Sequence, residues 1–432
     1  MKRLLSIIFT LCVTSCYFFP FNLRVLPIVN TKMIIAGIGL IILMMRLAVG
    51  HNSMISKDFI TLSISAAVVS LFGYISINYN CTPDYAYTTY IISMLVWLSS
   101  AYVVIQTMSL GHKRLTFNLL CNYLIGLCVA QCVLALSMEF IMPLKRIIYS
   151  MMDNDTVQFL EAKKRLSGLG AGLDVAGTRF SAVLILIIAV CFTRPKELIK
   201  KYYPMYIISY LIIAIIGNMI ARTTIVGVIL SLIYGCIMLI RHPHYIDKSF
   251  YKWAIGIIMI VLPATVIAYN TNPQIHNHIR FGFELFFNVI ETGRWESNTT
   301  DILKSMVVYP ETLKTWIIGD GFFGSTNIDP YYVGTTYNGF YMKTDIGYLR
   351  FIYYFGLLGL IAFSLFMIRS AKICISKFPK QSTCFLFLII LNFAIWFKVS
   401  TDIFLVFALF ICMNAEVADE TEQKLKIAVQ HK

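Results

Sequence analysis

The residues in this sequence with the clearest chemical potential are arginines beside apolar segments, where an unpartnered charge is costly. Arg165 precedes a glycine-rich stretch at 167–172, Arg179 follows it by about two turns, and Arg222 lies between two abutting apolar runs. A guanidinium binds phosphate oxygens bidentately, and nearby glycines let backbone N–H groups approach an anion. We therefore favour an anion-binding role over the alternative, in which these arginines anchor helix ends at lipid headgroups.

A second group of charged residues lies in the longest polar interval of the chain, residues 269–359. This interval contains Arg280, Arg294 and Asp345, and long structured loops are usually functional. Asp345 stands at the transition from the polar interval to the next apolar segment. Its carboxylate could accept a proton from an attacking hydroxyl, or it could cap the helix that follows. The sequence leaves both roles open.

Two further patterns in the same interval resemble cofactor or metal motifs only superficially. Residues 319–324 read Gly-Asp-Gly-Phe-Phe-Gly, but no strand–helix crossover and no Lys-Ser/Thr pair accompanies them, so they predict a structural turn. His276 and His278 are two residues apart and do not share a helix face, and no third ligand is apparent. The sequence therefore predicts neither a metal site nor a cofactor.

The elements that must position these residues are membrane helices. The chain has 432 residues, of which 58% are hydrophobic and 13% charged, and its mean hydropathy is +0.74. Soluble domains carry about 25% charged residues, so this composition excludes a water-soluble globular protein and predicts an all-α integral membrane protein. The net charge of +14 comes mostly from short loops, so it indicates membrane topology and not nucleic-acid binding.

Apolar segments of about 17–25 residues, the length that a helix needs to cross the hydrocarbon, predict roughly twelve spans. They lie near residues 4–20, 33–49, 59–79, 86–109, 115–142, 173–193, 205–221, 223–240, 253–269, 347–368, 383–397 and 400–414. Lys and Arg concentrate in one alternating set of short loops, which the positive-inside rule places in the cytoplasm. Both termini are then cytoplasmic.

This topology divides the chain into nine transmembrane helices over 1–269, a large periplasmic loop over 270–346, three further spans over 347–414 and a cytoplasmic tail over 415–432. One outer loop, near 144–172, breaks the charge rule. Its cations are Lys145, Arg146, Lys163, Lys164 and Arg165. An external anion such as a lipid headgroup would hold them; the alternative is that the side chains only reach toward phospholipid phosphates.

Four parts of the sequence together resemble the superfamily of bacterial O-antigen polymerases (Wzy-type) and O-antigen ligases. They are Arg165-Leu166-Ser167-Gly168; Ala221-Arg222-Thr223; Thr292-Gly293-Arg294-Trp295 with Ile318-Gly319-Asp320-Gly321-Phe322-Phe323-Gly324; and Asp345-Ile346-Gly347-Tyr348-Leu349 with Gly356-Leu357-Leu358-Gly359-Leu360. Their order, spacing and predicted side of the membrane carry the resemblance, which covers about 165–360. The ligases carry a histidine where Lys343-Thr344-Asp345 stands here, which favours the polymerase branch.

The resemblance implies a metal-independent, GT-C-like glycosyltransferase in the bacterial inner membrane, with no cofactor. It would transfer glycan from an undecaprenyl pyrophosphate-linked oligosaccharide to a hydroxyl of a lipid-linked repeat unit, in O-antigen (lipopolysaccharide) or capsule synthesis. Membrane lipids and a chain-length regulator protein are the other implied partners. Nucleic acid is not expected.

The resemblance also implies roles for individual residues. The implied diphosphate-binding residues are Arg165, Arg222 and Arg294, with Arg179 and Arg280 as second choices. Arg222 and Asp345 are the implied catalytic residues, and Asp345 would orient or deprotonate the acceptor hydroxyl. Trp295 and the 331–341 stretch would hold glycan.

Three other classes remain open at this point. An O-antigen ligase would use the same scaffold, and a flippase for lipid-linked oligosaccharide would have a similar number of spans. Transporters, however, often show internal repeats and broken helices near the bilayer midplane, and neither is visible in the sequence. The third class is a non-enzymatic membrane assembly subunit.

Overall fold

The computed structural model describes residues 2–48, 56–163, 165–194, 196–243, 247–293, 298–324, 336–337 and 340–414. Within these ranges the chain is mostly helical. The helices are α1 (Lys2–Phe18), α2 (Thr31–Ala48), α3 (Lys57–Asn80), α4 (Tyr90–Gly111), α5 (Phe117–Phe140), α6 (Met142–Met151), α7 (Asn154–Lys163), α8 (Leu173–Thr193), α9 (Lys196–Ile220), α10 (Thr224–Arg241), α11 (Lys248–Thr271), α12 (Pro273–Gly282), α13 (Glu284–Thr292), α14 (Asn298–Ser305), α15 (Leu313–Ile317), α16 (Gly347–Lys377), α17 (Ser382–Ile395) and α18 (Phe404–Ile411).

Two short antiparallel hairpins accompany the helices. One pairs β1 (Asn22–Leu23) with β2 (Leu26–Asn30), between α1 and α2. The other pairs β3 (Thr336–Tyr337) with β4 (Phe340–Tyr341), shortly before α16.

Eight helices in the described residues are long and apolar enough to cross a membrane, namely α3, α4, α5, α8, α9, α10, α11 and α16. The chain is therefore a multi-pass membrane protein. The other four predicted spans coincide with α1, α2, α17 and α18, which lie outside this set, so the count of twelve is not confirmed. At 14 and 8 residues, α17 and α18 are shorter than the roughly 20 residues of a regular spanning helix.

The short length of α17 and α18 has a structural cause. The chain between them, from Trp396 to Ile403, leaves the helical conformation inside the packed bundle, where Trp396 and Ile403 are buried. Two hydrogen bonds hold it from within: the Asn392 side chain accepts the Ile403 N–H (3.1 Å) and the Trp396 indole donates to the Thr401 carbonyl (2.9 Å). Buried backbone outside regular helices requires such hydrogen-bond partners.

Burial orders the spans from the centre of the bundle to its edge. α8 is buried along almost its whole length, and α5, α9, α10 and α17 pack around it. In contrast α11 has one buried residue and exposes large apolar side chains such as Ile260 and Met259. An exposed apolar face of this extent fits contact with lipid tails.

The alternation of spans places several non-spanning elements on one side of the bundle, which we call the loop side. They are α6 and α7, the tight α9–α10 turn, helices α12 to α15 and the start of α16. The interval predicted as a large loop therefore contains short helices, and the basic loop predicted at 144–172 is largely the helix pair α6–α7.

α16 is broken near its start by the backbone at Phe355 and Gly356, where Gly356 has φ +69°. A side chain there would place its Cβ only 2.1 Å from the Ile317 carbonyl oxygen, so the close approach of α15 requires glycine. The break leaves carbonyls free to bond outside the helix. The Tyr353 and Tyr354 carbonyls accept the N–H groups of Asp320 (2.6 Å) and Gly321 (3.1 Å), which attaches the predicted glycine turn to the bundle.

Candidate active site at the membrane boundary

A cleft with a volume of about 350 Å³ lies on the loop side, where several separate segments of the chain meet. Ile302 and Leu303 of α14, with Met306 just after it, form an apolar part of its wall. Four cations and two carboxylates also line it, and we therefore call it the cationic cleft. These charged residues are Lys163, Arg165, Arg222, Lys398, Asp174 and Asp345.

Arg165 enters the cleft from a tightly packed segment between α7 and α8. The Gly168 N–H donates to the Ala171 carbonyl (2.8 Å), and the Gln131 amide of α5 donates to the Leu169 carbonyl (3.1 Å). These bonds fix the backbone that follows Arg165. The guanidinium carbon of Arg165 lies 4.6 Å from the ring centroid of Phe281.

Arg222 projects from the tight turn between α9 and α10. The turn is closed by the Thr224 N–H bonding to the Ala221 carbonyl (3.0 Å). The Arg222 guanidinium carbon lies 4.1 Å from the centroid of the same Phe281 ring, and its Nη2 is 2.6 Å from Oε2 of Glu284. Both side chains of this ion pair are 17% exposed, so the pair is partly desolvated and open to the cleft.

The joint between α12 and α13 brings the aromatic ring and the carboxylate to these arginines. The Asn218 side chain at the end of α9 donates to the Gly282 carbonyl (2.7 Å), which holds the joint against the α9–α10 turn. From this joint, Phe281 contacts both Arg165 and Arg222, and Glu284 pairs with Arg222. The ring attracts both cations, and the Glu284 carboxylate compensates the charge of Arg222.

A second ion pair closes the deeper wall of the cleft. Lys398 Nζ lies 2.8 Å from Asp174 Oδ1, and the Thr223 hydroxyl donates to the same oxygen (3.2 Å). The pair joins the start of α8, the α9–α10 turn and the α17–α18 connection. Because Asp174 and Lys398 neutralise each other, the excess of positive charge in the cleft comes from the other cations.

Asp345 faces the cleft from the segment before α16. Its Oδ1 lies 3.4 Å from Arg350 Nη1. The pKa of Asp345 is raised to about 6, because burial and, less strongly, the negative charge of Asp174 outweigh the opposing effect of Arg350 and Lys398. The N-cap residue of α16 is Ile346, and no side chain makes a cap bond there. Asp345 is therefore not the N-cap residue, and it lines the cleft instead.

Close packing at Gly347 brings Asp345 and Lys398 to the same cleft. The start of α16 packs so closely on the α17–α18 connection that the Tyr348 N–H donates to the Trp396 carbonyl (3.0 Å). A Cβ at residue 347 would lie 2.5 Å from the Val399 carbonyl oxygen. Only glycine permits this approach.

Arg350 connects Asp345 to the glycine turn of 319–324. Its guanidinium donates to Ser400 Oγ (2.7 Å) and to the Phe323 carbonyl (2.9 Å) as well as contacting Asp345. The turn is held in place by the Asp84 carboxylate, which accepts the N–H groups of Phe323 (2.8 Å) and Gly324 (3.0 Å). The turn thus has a structural role and supports Arg350.

An apolar groove of about 370 Å³ runs between α9, α11 and the α12–α13 joint. Ile215, Ile258, Phe283 and Phe287 are among its lining residues. Phe283 is the neighbour of Glu284 in the chain, so the same joint lines the apolar groove with one residue and pairs with Arg222 of the cationic cleft through the next.

The predicted site residues fall into three groups. Arg165, Arg222 and Asp345 lie together in the cationic cleft. Arg179 is only 6% exposed and lies against the Phe19 ring at 5.6 Å, deeper in α8 and away from the cleft lining. Arg280 forms an exposed ion pair with Glu291 (2.8 Å) and does not line the cleft either.

Arg294 and Trp295 lie outside the described residues, as does most of the 331–341 stretch to which glycan binding was assigned. Their predicted roles stay predictions.

Four residues of the site were not predicted from the sequence as site residues: Asp174, Phe281, Glu284 and Lys398. Asp174 follows the glycine-rich stretch directly, and Lys398 is a lone cation between two apolar segments; these are the only signals that the sequence offered.

Comparison of the chain with family models, with curated proteins and with solved structures gives no match.

Proposed function

We propose that this chain is a membrane-embedded glycosyltransferase of the O-antigen polymerase type, which uses a polyprenyl (undecaprenyl) diphosphate-linked glycan as donor. One observation carries the proposal. Arg165 and Arg222 flank the same Phe281 ring in a cleft that Asp345 also lines, and this cleft lies where the spanning helices end. Cations, a protonatable carboxylate and adjacent lipid are what the reaction requires.

The first requirement is stabilisation of the leaving group. When the bond between the anomeric carbon of the donor sugar and the diphosphate oxygen breaks, the diphosphate takes the electron pair and gains negative charge. Fixed guanidiniums that meet this charge lower the barrier, and a single such donor is typically worth about 100- to 1000-fold in rate. Arg165 and Arg222 are placed for this role, and Arg294 remains a proposed third ligand.

In the proposed reaction, the diphosphate replaces Glu284 as the partner of Arg222. An arriving diphosphate carries more negative charge and more acceptor oxygens than the one carboxylate, so it can replace Glu284 at Arg222. The charge of the Arg222 guanidinium is therefore balanced by Glu284 before the diphosphate binds and by the diphosphate afterwards. A permanently bound anion is not required.

The second requirement is a base for the acceptor. A sugar hydroxyl of a second lipid-linked repeat unit attacks the anomeric carbon, and its proton must leave as the new C–O bond forms. Asp345 is the proposed acceptor of that proton, because a carboxylate with a pKa of about 6 is ionised near neutral pH and yet basic enough to help. The products are a lengthened glycan and a free polyprenyl diphosphate.

The third requirement is a place for the prenyl chain. The apolar groove reaches the α12–α13 joint from the lipid side, next to the residues that contact Arg222. We assign the first prenyl units to this groove, which leaves the diphosphate at the cationic cleft.

The proposal also assigns the finer topology. The loop side faces the outside of the bacterial inner membrane, both termini are cytoplasmic, and α1, α2, α17 and α18 complete twelve crossings of a GT-C-like fold. Addition of a membrane-impermeant thiol reagent to intact cells tests the orientation. In a Cys81→Ser background, which removes the exposed native thiol of the α3–α4 connection, a Cys introduced for Asp301 on α14 is expected to react, whereas one introduced for Lys113 between α4 and α5 is expected to be protected.

The decisive test of the function is the length of the surface glycan. Deletion of the gene is expected to leave glycan of a single repeat unit. Loss of all glycan attachment would instead indicate a ligase, accumulation of inner-leaflet precursor would indicate a flippase, and an unaltered glycan would remove the proposal.

Complementation of the deletion strain then tests the cleft. We expect Arg165→Ala and Arg222→Ala to abolish chain elongation while the protein still inserts at normal levels. Arg241→Ala, at the opposite end of α10, is the matched control and should restore polymer. Normal polymer length with both cleft variants would refute the role of the arginines in binding diphosphate.

A further inference from the structure

A second basic cleft lies on the loop side, behind α7. It has a volume of about 370 Å³, and Arg24, Lys145 and Arg146 line it together with Glu161. α7 separates it from the cationic cleft: Phe159 and Lys163 line the cationic cleft, while Asn154, Val157 and Glu161 line this one. We call it the α6–α7 cleft.

The cleft is built by three segments that are fixed to one another. The Arg24 backbone N–H donates to the Met151 carbonyl at the end of α6 (3.1 Å), and Leu23 forms an antiparallel bridge with Met152. The Asp153 N–H, just before α7, donates to the Asn22 carbonyl (3.1 Å). The hairpin therefore holds Arg24 beside the polar face of α6.

The three cations of this cleft outnumber its one carboxylate. In the part of the chain that the structure describes, Arg24, Lys145 and Arg146 make no ion pair. Lys145 is half-buried and its Nζ lies 5.5 Å from the Tyr149 ring centroid. Since Glu161 is the one carboxylate in the lining, the cleft has an excess of positive charge and suits an anion.

The opposite face of α6 is apolar and exposed. Ile147 is 61% exposed and Met151 46%, and α6 follows the spanning helix α5 after a single non-helical residue, Ile141. An amphipathic helix that starts where a span ends lies at the membrane interface, with its apolar face toward the acyl chains. Its cations then stand at the level of the lipid headgroups.

We propose that the α6–α7 cleft binds the headgroup of an anionic phospholipid, with the phosphate on Arg24, Lys145 and Arg146 and the acyl chains beside α6. Charge and polarity together favour this ligand: a soluble anion would make no use of the exposed apolar face, and a zwitterionic lipid would leave the charge excess uncompensated. This inference does not rest on the proposed glycosyltransferase activity.

Native mass spectrometry of the full chain in detergent, titrated with phosphatidylglycerol or phosphatidylcholine, tests the site. We expect phosphatidylglycerol to bind more tightly than phosphatidylcholine. Each Lys or Arg near an anionic lipid contributes about a fivefold gain in affinity, so the triple variant Arg24→Gln/Lys145→Gln/Arg146→Gln should bind phosphatidylglycerol about 100-fold more weakly. Arg280→Gln, an exposed arginine on the same side, is the matched control and should retain the original affinity.

Glu161→Gln provides a test in the opposite direction. Removal of the carboxylate from the lining should strengthen phosphatidylglycerol binding severalfold, a result that damage to the fold cannot imitate. Equal affinity for the two lipids, or the original affinity in the triple variant, would overturn the proposal. So would displacement of the bound phosphatidylglycerol by equimolar undecaprenyl diphosphate, which would make the cleft a carrier site.

Discussion

The rate of glycan transfer is expected to depend on pH through the ionisation of Asp345. Burial is the main cause that raises the pKa of this carboxyl to about 6, and the charged groups that act on it are Arg350 on α16, Asp174 on α8 and Lys398 on the α17–α18 connection. A general base acts only when it is ionised. The rate should therefore be high above pH 6 and fall as the pH drops through 6.

The magnitude follows from the pKa. With a value near 6, about 90% of the Asp345 side chains are ionised at pH 7 and about 10% at pH 5, so the rate should fall roughly tenfold between these two values. An aspartate with the ordinary pKa of about 3.9 would still be about 90% ionised at pH 5. The size of the decrease thus separates a buried base from a solvated carboxylate.

Lipid-linked repeat units extracted from the deletion strain provide the substrate for this assay. Release of polyprenyl diphosphate by the purified protein is followed at intervals from pH 5 to pH 8. Asp345→Asn should lower the rate at pH 7.5 by about 100-fold or more and leave a pH-independent residue of activity. Asp301→Asn, an exposed aspartate on the same side, is the control and should keep the original profile. A flat profile for the unsubstituted protein, or an unchanged profile in Asp345→Asn, would refute the assignment.

Three further outcomes are expected. Glu284→Gln removes the carboxylate that pairs with Arg222, so inorganic pyrophosphate should inhibit transfer at severalfold lower concentration; an unchanged inhibition constant would contradict the proposed exchange. Arg350→Gln removes the nearest cation from Asp345 and raises the pKa of that carboxyl further, so the midpoint of the pH–rate profile should move to higher pH, whereas a loss that is equal at all pH values would indicate a purely structural role. Gly347→Val overpacks the contact with the Val399 carbonyl and should destabilise the protein by about 1–3 kcal/mol, visible as a lower thermal unfolding temperature; an unchanged temperature would show that this contact relaxes at no cost.

Much of the site could be predicted from the sequence because its parts lie at the ends of spans. Arg165 stands before α8, Arg222 between α9 and α10, and Asp345 before α16. Alternation of spans puts these three positions on one side of a bundle, and helices that pack together bring their ends close. Arg179 does not stand at the end of a span. It lies within α8, and because a helix rises about 1.5 Å per residue, its position is well below the level of the cleft.

The partners of the arginines could not be predicted in the same way. Phe281 and Glu284 reach Arg165 and Arg222 only because Asn218 bonds to the Gly282 carbonyl, a contact between two segments about 60 residues apart that no spacing in the sequence encodes. The helices α6 and α7 were missed for a related reason. At 10 residues each, they are too short to give a strong periodic signal, and isolated helices of that length depend on packing for their stability.

The break in α16 has a consequence for how the protein tolerates change. The turn at 319–324 is attached through main-chain carbonyls of Tyr353 and Tyr354, which every amino acid supplies. Substitution of the Tyr353 and Tyr354 side chains therefore leaves these two bonds in place. The restriction falls on the glycines that shape the main chain, Gly356 above all, and on Asp84, whose carboxylate also holds the turn. Homologous chains should be able to exchange the outward-facing side chains of this region for other specificities while the support beneath Arg350 persists.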